Sequence, residues 1–180
     1  MIILVTIVFS GPPGGGKTTY AKMLAEHLGL RYYSAGKIFR RIAEERGLSI
    51  EELSLLAARD PSIDLEIDRV SYEEALKGNV VLDGHLVAWI VADVADIKIY
   101  VTAPLIVRVK RISMRDNVSF EKALRETIIR ENVQRERFMR YYGIDVYDLS
   151  IFDLVISSEN LSIDEVFDII KDFVEKNLKH

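Results

Sequence analysis

A glycine-rich segment near the start of the chain has the residues and spacing needed to bind phosphate. Residues 11–18 read Gly-Pro-Pro-Gly-Gly-Gly-Lys-Thr and match the pattern G-x-x-x-x-G-K-[ST] at every fixed position. Glycines let backbone N–H groups approach phosphate oxygens, and a following helix directs its positive end at the same point. In this pattern the lysine neutralises β- and γ-phosphate oxygens, and the hydroxyl after it ligates Mg²⁺. The sequence therefore predicts an ATP and Mg²⁺ site formed by Gly11, Pro12, Pro13, Gly14, Gly15, Gly16, Lys17, Thr18 and Thr19.

Apolar strands and helical segments alternate on both sides of this phosphate-binding loop (P-loop). Five strands are predicted, at Ile2–Phe9, Arg31–Tyr33, Asn79–Leu82, Asp96–Val101 and Phe152–Ile156. The helices predicted between and after them are Thr18–Leu28, Gly36–Arg46, a helix from the capping box at Ser49 to near Pro61, Ile63–Leu76, Leu105–Arg115, Phe120–Tyr142 and a C-terminal helix after the capping box at Ser162. This alternation predicts an α/β protein with the three-layer P-loop NTPase fold and a central five-stranded parallel sheet.

The strand ends indicate where the ligands of such a sheet should lie. Ligands of parallel sheets bind beyond the carboxyl ends of the strands. The predicted strands end at Ser10, Ser34, Asp83 and Thr102, so these positions are expected to face one cleft.

Composition limits the class of protein. The chain has 180 residues, which fits a single domain, and no apolar run approaches the roughly 18 residues that a membrane helix needs. It has no cysteine, which excludes disulfides and thiolate metal sites. We expect a cytoplasmic monomer that binds neither nucleic acid nor membrane.

Charge is unevenly distributed along the chain. Residues 105–140 carry ten Lys and Arg against five Asp and Glu, a net +5, so a total of −4 leaves −9 elsewhere. One basic segment in an acidic chain favours a local anion site over general nucleic-acid binding. A solvated helix with internal ion pairs is the alternative, since Glu126, Glu131 and Glu136 are interleaved with the basic residues.

Further motifs resemble one family over nearly the whole chain. They are Ser34-Ala35-Gly36-Lys37-Ile38-Phe39-Arg40, Ile63-Asp64 with Asp68-Arg69, Asp83-Gly84-His85 through Trp89, and Arg137 followed by Tyr142-Gly143-Ile144-Asp145. With the P-loop, they resemble the nucleoside monophosphate kinases, most closely the archaeal type of cytidylate kinase. The resemblance implies in-line transfer of a phosphoryl group from ATP to CMP, with dCMP as a second acceptor. It also implies a core of residues 1–35, 78–110 and 140–180, a helical NMP-binding insertion at about 36–77, and a short lid at about 111–137.

The resemblance assigns acceptor-binding roles to the insertion and to the end of the third strand. Ser34 and Gly36 would lie beside the acceptor, and Arg40 would bind its phosphate. The open N-terminus of the helix favours an anion, and a guanidinium makes bidentate contacts with phosphate. Asp83 would hold Mg²⁺ together with Thr18, with Gly84 and His85 close to the acceptor. Leu86 stands where bacterial relatives carry a base-reading aspartate, so base recognition must come from elsewhere, with Asp64, Asp68 and Arg69 as the candidates.

Each of these residues also has a structural interpretation. Ser34 could only cap a helix, and Arg40 could lie on the surface. Asp83 could cap the helix that follows it, and Asp64, Asp68 and Arg69 could form a solvated helix face.

Arginines of the basic segment are the predicted lid. Arg108, Arg111 and Arg115 share one helix face, and Arg130, Arg135 and Arg137 follow on the next helix, after a short tip at residues 115–119. By resemblance, Arg111, Arg115 and Arg137 act with Lys17 in catalysis around the γ-phosphate and the acceptor phosphate. Arg130 and Arg135 are the next candidates for contact with these phosphates, and Arg108 would lie near the donor base. About half of these arginines should touch phosphate, and the rest should pair with glutamates.

Other functions remain open at this stage. The P-loop and insertion also suit a kinase for AMP, UMP or shikimate. A regulatory module that uses nucleotide as a switch is a rival from another class, and a nucleic-acid binder is the weakest alternative.

Overall fold

The structure, a computed structural model, describes residues 4–178. Strands and helices alternate along this part of the chain. In order they are β1 (Thr6–Ser10), α1 (Lys17–Leu28), β2 (Arg31–Ser34), α2 (Ala35–Glu45), α3 (Ile50–Ala57), α4 (Ser62–Leu76), β3 (Val80–Asp83), α5 (Val87–Ile90), β4 (Ile97–Thr102), α6 (Leu105–Asp116), α7 (Phe120–Tyr142), β5 (Leu154–Ser157) and α8 (Ile163–Leu178).

The strands form one parallel sheet in the order β2-β3-β1-β4-β5, which confirms the predicted five-stranded parallel sheet. Its central strands are apolar because both faces are covered. Phe9 and Val81 pack with α1 and α8 on one face, while Val8 and Leu82 pack with α4 and α5 on the other. These three layers bring the carboxyl ends of the strands to one edge.

The observed element boundaries differ from the predicted ones by a few residues. The described part of the first strand is Thr6–Ser10, and Ile2 and Ile3 of the prediction lie outside the described residues. The last strand starts at Leu154, not Phe152, because the Phe152 N–H bonds to the Leu149 carbonyl in a turn at 3.1 Å; its ring packs edge-on against Trp89 and Tyr100. Both capping boxes are present, with Glu52 and Glu165 each bonding back to the backbone N–H of its serine.

Two helical units flank the sheet edge. Helices α2, α3 and α4 share a small core of their own, which includes Phe39, Leu53 and Ile67. Helices α6 and α7 pack through Val109, Ile112 and Ala123. Within residues 4–178, no helix combines the length and apolarity that crossing a bilayer requires.

Helix α7 joins these two units. It has 23 residues, a length of about 34 Å. Its last turns reach the C-terminal end of α3, where Arg137, Arg140 and Tyr141 donate hydrogen bonds to the carbonyl oxygens of Ser54, Ala58 and Ala57, at 3.0, 3.4 and 3.0 Å respectively. The bonds to Ala57 and Ala58 satisfy carbonyls at the helix end, whereas the Ser54 carbonyl also accepts the Ala58 N–H at 3.1 Å.

Candidate active site

The P-loop depends on glycine at positions where a side chain could not be placed. A Cβ atom on Gly11 would lie 2.1 Å from the carbonyl oxygen of Val101, and one on Gly15 would lie 2.7 Å from the same oxygen. Gly11, Gly14 and Gly16 also have positive φ angles, of 148°, 78° and 101°. The loop therefore lies directly on the backbone of β4 and turns tightly into α1, which begins at Lys17.

Lys17 lies among other cations at the base of the loop. Its Nζ is 3.5 Å from the carbonyl oxygen of Pro12. Burial lowers the pKa of Lys17 to about 8, Asp83 opposes this, and Arg130, Arg40 and Arg115 lower it further. Because several positive groups converge with a single acid opposing them, the site is suited to a polyanion such as a triphosphate.

Asp83 and Thr18 place two oxygen donors beside the loop. Asp83 ends β3, pairs in register with Phe9 and Ser34, and is only 1% exposed. The Tyr32 hydroxyl donates a hydrogen bond to Asp83 Oδ2 at 3.0 Å. Burial, followed by the charge of Asp83, raises the pKa of Tyr32 to about 12, so this hydroxyl stays protonated. A carboxylate and a hydroxyl are hard oxygen donors of the kind that Mg²⁺ prefers.

This pair fits a metal ion that arrives with a nucleotide. Residues 4–178 contain no group of three or more His, Cys, Asp or Glu side chains that could hold a metal alone. Mg²⁺ commonly takes one or two protein ligands and completes its shell with phosphates and water.

A cavity extends from the P-loop to the helical insertion. It lies between α2, α4, α7 and the end of β3, and Pro13, Lys17 and Thr18 close its loop end. Ser34 caps α2 by accepting a hydrogen bond from the Lys37 N–H at 3.3 Å. The predicted acceptor residues that line the cavity are Ser34, Gly36, Arg40, Asp64, Asp68, Asp83, Gly84, His85, Arg130 and Arg137.

A second cavity covers the other side of the loop. The predicted residues that line it are Pro13, Gly14, Gly16, Lys17, Thr18, Thr19, Arg40, Arg111, Arg115 and Arg130. The two cavities share Pro13, Lys17, Thr18, Arg40 and Arg130. A donor phosphate in one cavity and an acceptor in the other would therefore meet at Lys17, Arg40 and Arg130.

The lid arginines differ in how fully their guanidinium groups are engaged. Arg111 binds Ser158 through its hydroxyl at 2.8 Å and its carbonyl at 2.7 Å. Arg115 is exposed and pairs with the neighbouring Asp116 at 2.7 Å. Arg130 is the least satisfied, since in the described part of the chain its guanidinium has neither a hydrogen bond nor an ion pair, and its Nε is buried. Burial lowers the pKa of Arg130 to about 10, and Arg40 and Arg115 lower it further.

Six predicted site residues line neither of these two cavities: Gly11, Pro12 and Gly15 of the loop, and three arginines. Arg108 is buried, donates to the carbonyl oxygens of Ala103 and Pro13 at 2.9 and 3.0 Å, and pairs with Glu131, so it supports the loop from behind. Arg69 pairs with Glu73 at 2.5 Å on the exposed face of α4. Arg135 pairs with Asp145 at 3.6 Å and lies over the Tyr147 ring.

Arg137 has a carboxylate partner. It is 2% exposed, and its Nε lies 2.6 Å from Asp64 Oδ2. This contact is an ion pair without hydrogen-bond alignment, since both atoms lack a properly oriented partner. Together with the bond to Ser54, it fixes Arg137 between α7, α3 and α4.

Gln134 and Phe138 are among the residues lining the cavity beneath the insertion that the sequence reasoning missed. Gln134, 6% exposed, lines the acceptor cavity, and its Oε1 lies 3.0 Å from His85 Nδ1. Burial, followed by the charge of Lys17, lowers the pKa of His85 to about 3, so the ring is neutral. Phe138 forms part of the cavity wall. Spacings of four and eight residues from Arg130 place both on one face of α7, a signal that the sequence did contain.

A parallel sheet, a P-loop and an acceptor cavity beneath a helical insertion define the class of P-loop kinases. Residues 5–160 match the model of the cytidylate kinase-like family, and the chain belongs to this family. It is 69% identical over 176 residues to a cytidylate kinase from Staphylothermus marinus, a match that covers 98% of this chain and 99% of the relative.

Solved structures show the same fold at low sequence identity. An uncharacterized protein from Eubacterium ventriosum superposes with a TM-score of 0.70 at 21% identity, covering 95% of this chain and 98% of the other. A shikimate kinase from Acinetobacter baumannii, solved in complex with shikimate, gives a TM-score of 0.63 at 17% identity and covers 97% of this chain and 95% of its own. At these identities the likeness concerns the fold.

Proposed function

We propose that this chain transfers the γ-phosphoryl group of ATP to CMP, giving ADP and CDP, and that dCMP is a second acceptor. The observation that carries the proposal is the meeting of two cavities at Lys17, Arg40 and Arg130, one beside the P-loop and one beneath the insertion. The cytidylate kinase from Staphylothermus marinus, with its full-length match, supports CMP as the acceptor.

The donor is held by backbone and cation together. N–H groups of the loop and the start of α1 bind the β- and γ-phosphates, and Lys17 neutralises their oxygens. Thr18 and Asp83 would hold the Mg²⁺ that accompanies ATP, which supplies charge neutralisation on the β- and γ-oxygens when bound. Arg111 and Arg108 keep the loop against the end of the sheet through Gly14 and Pro13.

The acceptor phosphate is the nucleophile. One of its oxygens forms a bond to the γ-phosphorus while the bond from that phosphorus to the β,γ-bridging oxygen breaks. A phosphate monoester is largely a dianion at neutral pH, because its second pKa is about 6, so no general base is needed. His85, with a pKa of about 3, is too weak a base to take up a proton near neutral pH, which is consistent with a mechanism that needs no general base. No phosphoenzyme forms.

Positioning and charge then account for the rate. Arg40, Arg115 and Arg130 surround the point where the cavities meet, and equatorial γ-oxygens carry the transition-state charge. The proposal includes the sequence-based division into a core, an insertion at 36–77 and a lid at 111–137 that closes to exclude water. It also includes the monomeric state and the cytoplasmic location.

A panel of acceptors tests the proposal. ADP release is measured with CMP, dCMP, UMP, AMP, shikimate and no acceptor, with Lys17→Ala as the inactive control and Lys122→Ala, an exposed lysine on α7, as the matched one. We expect CMP to be the best acceptor and Lys17→Ala to lose at least about 10³-fold in kcat. A CMP preference over AMP below about tenfold, or 1.4 kcal/mol, would overturn the choice of acceptor. Hydrolysis independent of any acceptor would instead indicate a nucleotide-dependent switch.

A further inference from the structure

The acceptor cavity has chemically opposite ends. Lys17, Arg40 and Arg130 lie at the loop end, close enough for the two arginines to lower the pKa of the lysine. At the other end lie two acids of α4, the buried Asp64 and the half-buried Asp68. A phosphate belongs at the cationic end, so the part of the acceptor that reaches the acidic end should offer hydrogen-bond donors.

Helix α7 sets the direction between these ends. Arg130, Gln134 and Phe138 follow one another at successive turns, about 6 Å apart. Arg130 is at the cationic end, while Phe138 faces the acidic end together with Leu86 and Ile67. Apolar side chains beside an acidic group suit a flat base whose edge carries a donor.

The two acids are not equivalent. Asp64 lies 2.6 Å from Arg137, so its charge is already paired. Asp68 receives a hydrogen bond from the Tyr142 hydroxyl on Oδ2. Within residues 4–178, no group donates a hydrogen bond to Asp68 Oδ1, which leaves that oxygen for a ligand.

We propose that Asp68 distinguishes cytosine from uracil by accepting a hydrogen bond from the exocyclic N4 amino group, with Tyr142 holding the carboxylate in place. This inference rests on the proposed function. Cytosine presents an N–H donor at this position, whereas uracil presents a carbonyl oxygen, as thymine does. Above about pH 7, where Asp68 is ionised, that oxygen would face the carboxylate oxygen without a proton between them. Adenine also carries an amino group, so Asp68 does not by itself reject AMP.

The surroundings of Asp68 support a need for such a donor. Burial raises the pKa of Asp68 to about 7, the Tyr142 hydrogen bond opposes this rise, and the charge of Asp64 adds to it. A carboxylate that is costly to bury gains more than an exposed one when a ligand supplies the missing hydrogen bond.

Asp68→Asn tests the inference. Its carboxamide has nearly the same shape, can accept the Tyr142 hydrogen bond through its oxygen, and turns its NH₂ group toward the base. We expect kcat/KM for CMP to fall at least about tenfold, kcat/KM for UMP to rise, and the CMP-to-UMP ratio to fall about 10²-fold. Arg69→Gln is the matched control, because Arg69 is the next residue on α4 and faces Glu73. It should leave the ratio within about twofold.

Tyr142→Phe tests the positioning role. It removes the hydroxyl that holds Asp68 but keeps the ring. We expect KM for CMP to rise about three- to tenfold with kcat near the parent value, because one neutral hydrogen bond to the carboxylate is lost while the transfer site is untouched. The CMP-to-UMP ratio should fall by the same factor.

The outcomes separate this inference from the proposed function. If the parent phosphorylates no nucleoside monophosphate, the proposed function fails before any variant is compared. If the parent prefers CMP but Asp68→Asn lowers both substrates equally, Asp68 does not read the base and the kinase activity stands. If circular dichroism shows that Asp68→Asn is unfolded, Tyr142→Phe decides, and an unchanged ratio in that variant overturns the inference.

Discussion

The P-loop and the acceptor cavity bind their ligands with different parts of the chain. The loop uses backbone N–H groups, and its shape depends on glycines that lie against the carbonyl oxygens of β4 and α6. The cavity uses side chains from β2, α2, α4 and α7, which are up to about one hundred residues apart in sequence. A site of the first kind is sensitive to added volume, and a site of the second kind is sensitive to lost charge. Removing a charge from the cavity and adding volume to the loop test that contrast.

Removing a charge from the cavity should have the largest effect. Arg130→Met keeps the apolar stem and removes the guanidinium whose Nε has no partner. We expect kcat/KM for both substrates to fall about 10²- to 10³-fold, because a cation beside the transferred phosphoryl group is lost. Arg135→Met, on the same helix but paired with Asp145 on the surface, should change it less than about threefold. Steady-state kinetics of both variants provide the comparison.

The Arg130→Met variant also tests the contribution of Arg130 to stability. Arg130 lies among Arg40 and Arg115, which lower its pKa after burial has done so. Removing one member of a repelling cluster should leave the melting temperature of the free protein unchanged or higher. A clear drop in that temperature for Arg130→Met would show that Arg130 holds the fold and would undermine its assignment to phosphate.

Adding a methyl group to the loop should have the next largest effect, on stability. Gly11→Ala would place its Cβ 2.1 Å from the carbonyl oxygen of Val101, at a φ of 148°. We expect a loss of about 2–4 kcal/mol in the free energy of unfolding, since backbone must move. At Gly36 the nearest atom to an added Cβ is the end of Arg40, 3.8 Å away, so Gly36→Ala should cost less than about 1 kcal/mol. Urea unfolding of the two variants measures this, and equal losses would contradict the contrast.

The smallest expected effect is a pH dependence that arises in the cavity. Because the pKa of Asp68 is about 7 in the folded protein and near 3.8 when exposed, the folded state holds a proton that the unfolded state releases. The protonated Asp68 side chain therefore makes its full contribution to stability below about pH 4, and this contribution is lost as the pH rises through 7. Asp68→Asn should stabilise the free protein more at pH 8 than at pH 5, by a few degrees in Tm at this chain length. Thermal melts of the parent and the variant at pH 5 and pH 8 test this. An equal difference in Tm between the two proteins at both pH values would refute it.

Sequence reasoning identified the loop well because each of its requirements is local. The glycine spacing, the preceding strand and the following helix all fall within about twenty residues, and the structure places them as predicted. The acceptor residues are harder to predict because they depend on which face of each helix is buried. Asp68 and Arg69 are neighbours in sequence, yet one lines the cavity and the other pairs with Glu73 on the surface.

A weaker signal for that face was present in the sequence. Ile63, Ile67, Ser71 and Ala75 recur every four residues and are the buried stripe of α4. Asp64 and Asp68 lie one residue beyond members of this stripe and so share its flank, while Arg69 lies about 100° further round. The partners of Arg137 and Asp68 could not be predicted in this way, because α3, α4 and α7 meet only through the tertiary fold.

The attachment of α7 to the end of α3 constrains how products leave. Three side chains of α7 hold the final carbonyl groups of α3, and the opposite end of α7 carries the short tip beside Arg115. The insertion therefore cannot swing outward unless α7 swings with it or these bonds break. Release of CDP from the cavity and release of ADP from the P-loop would then depend on one coupled motion of α7.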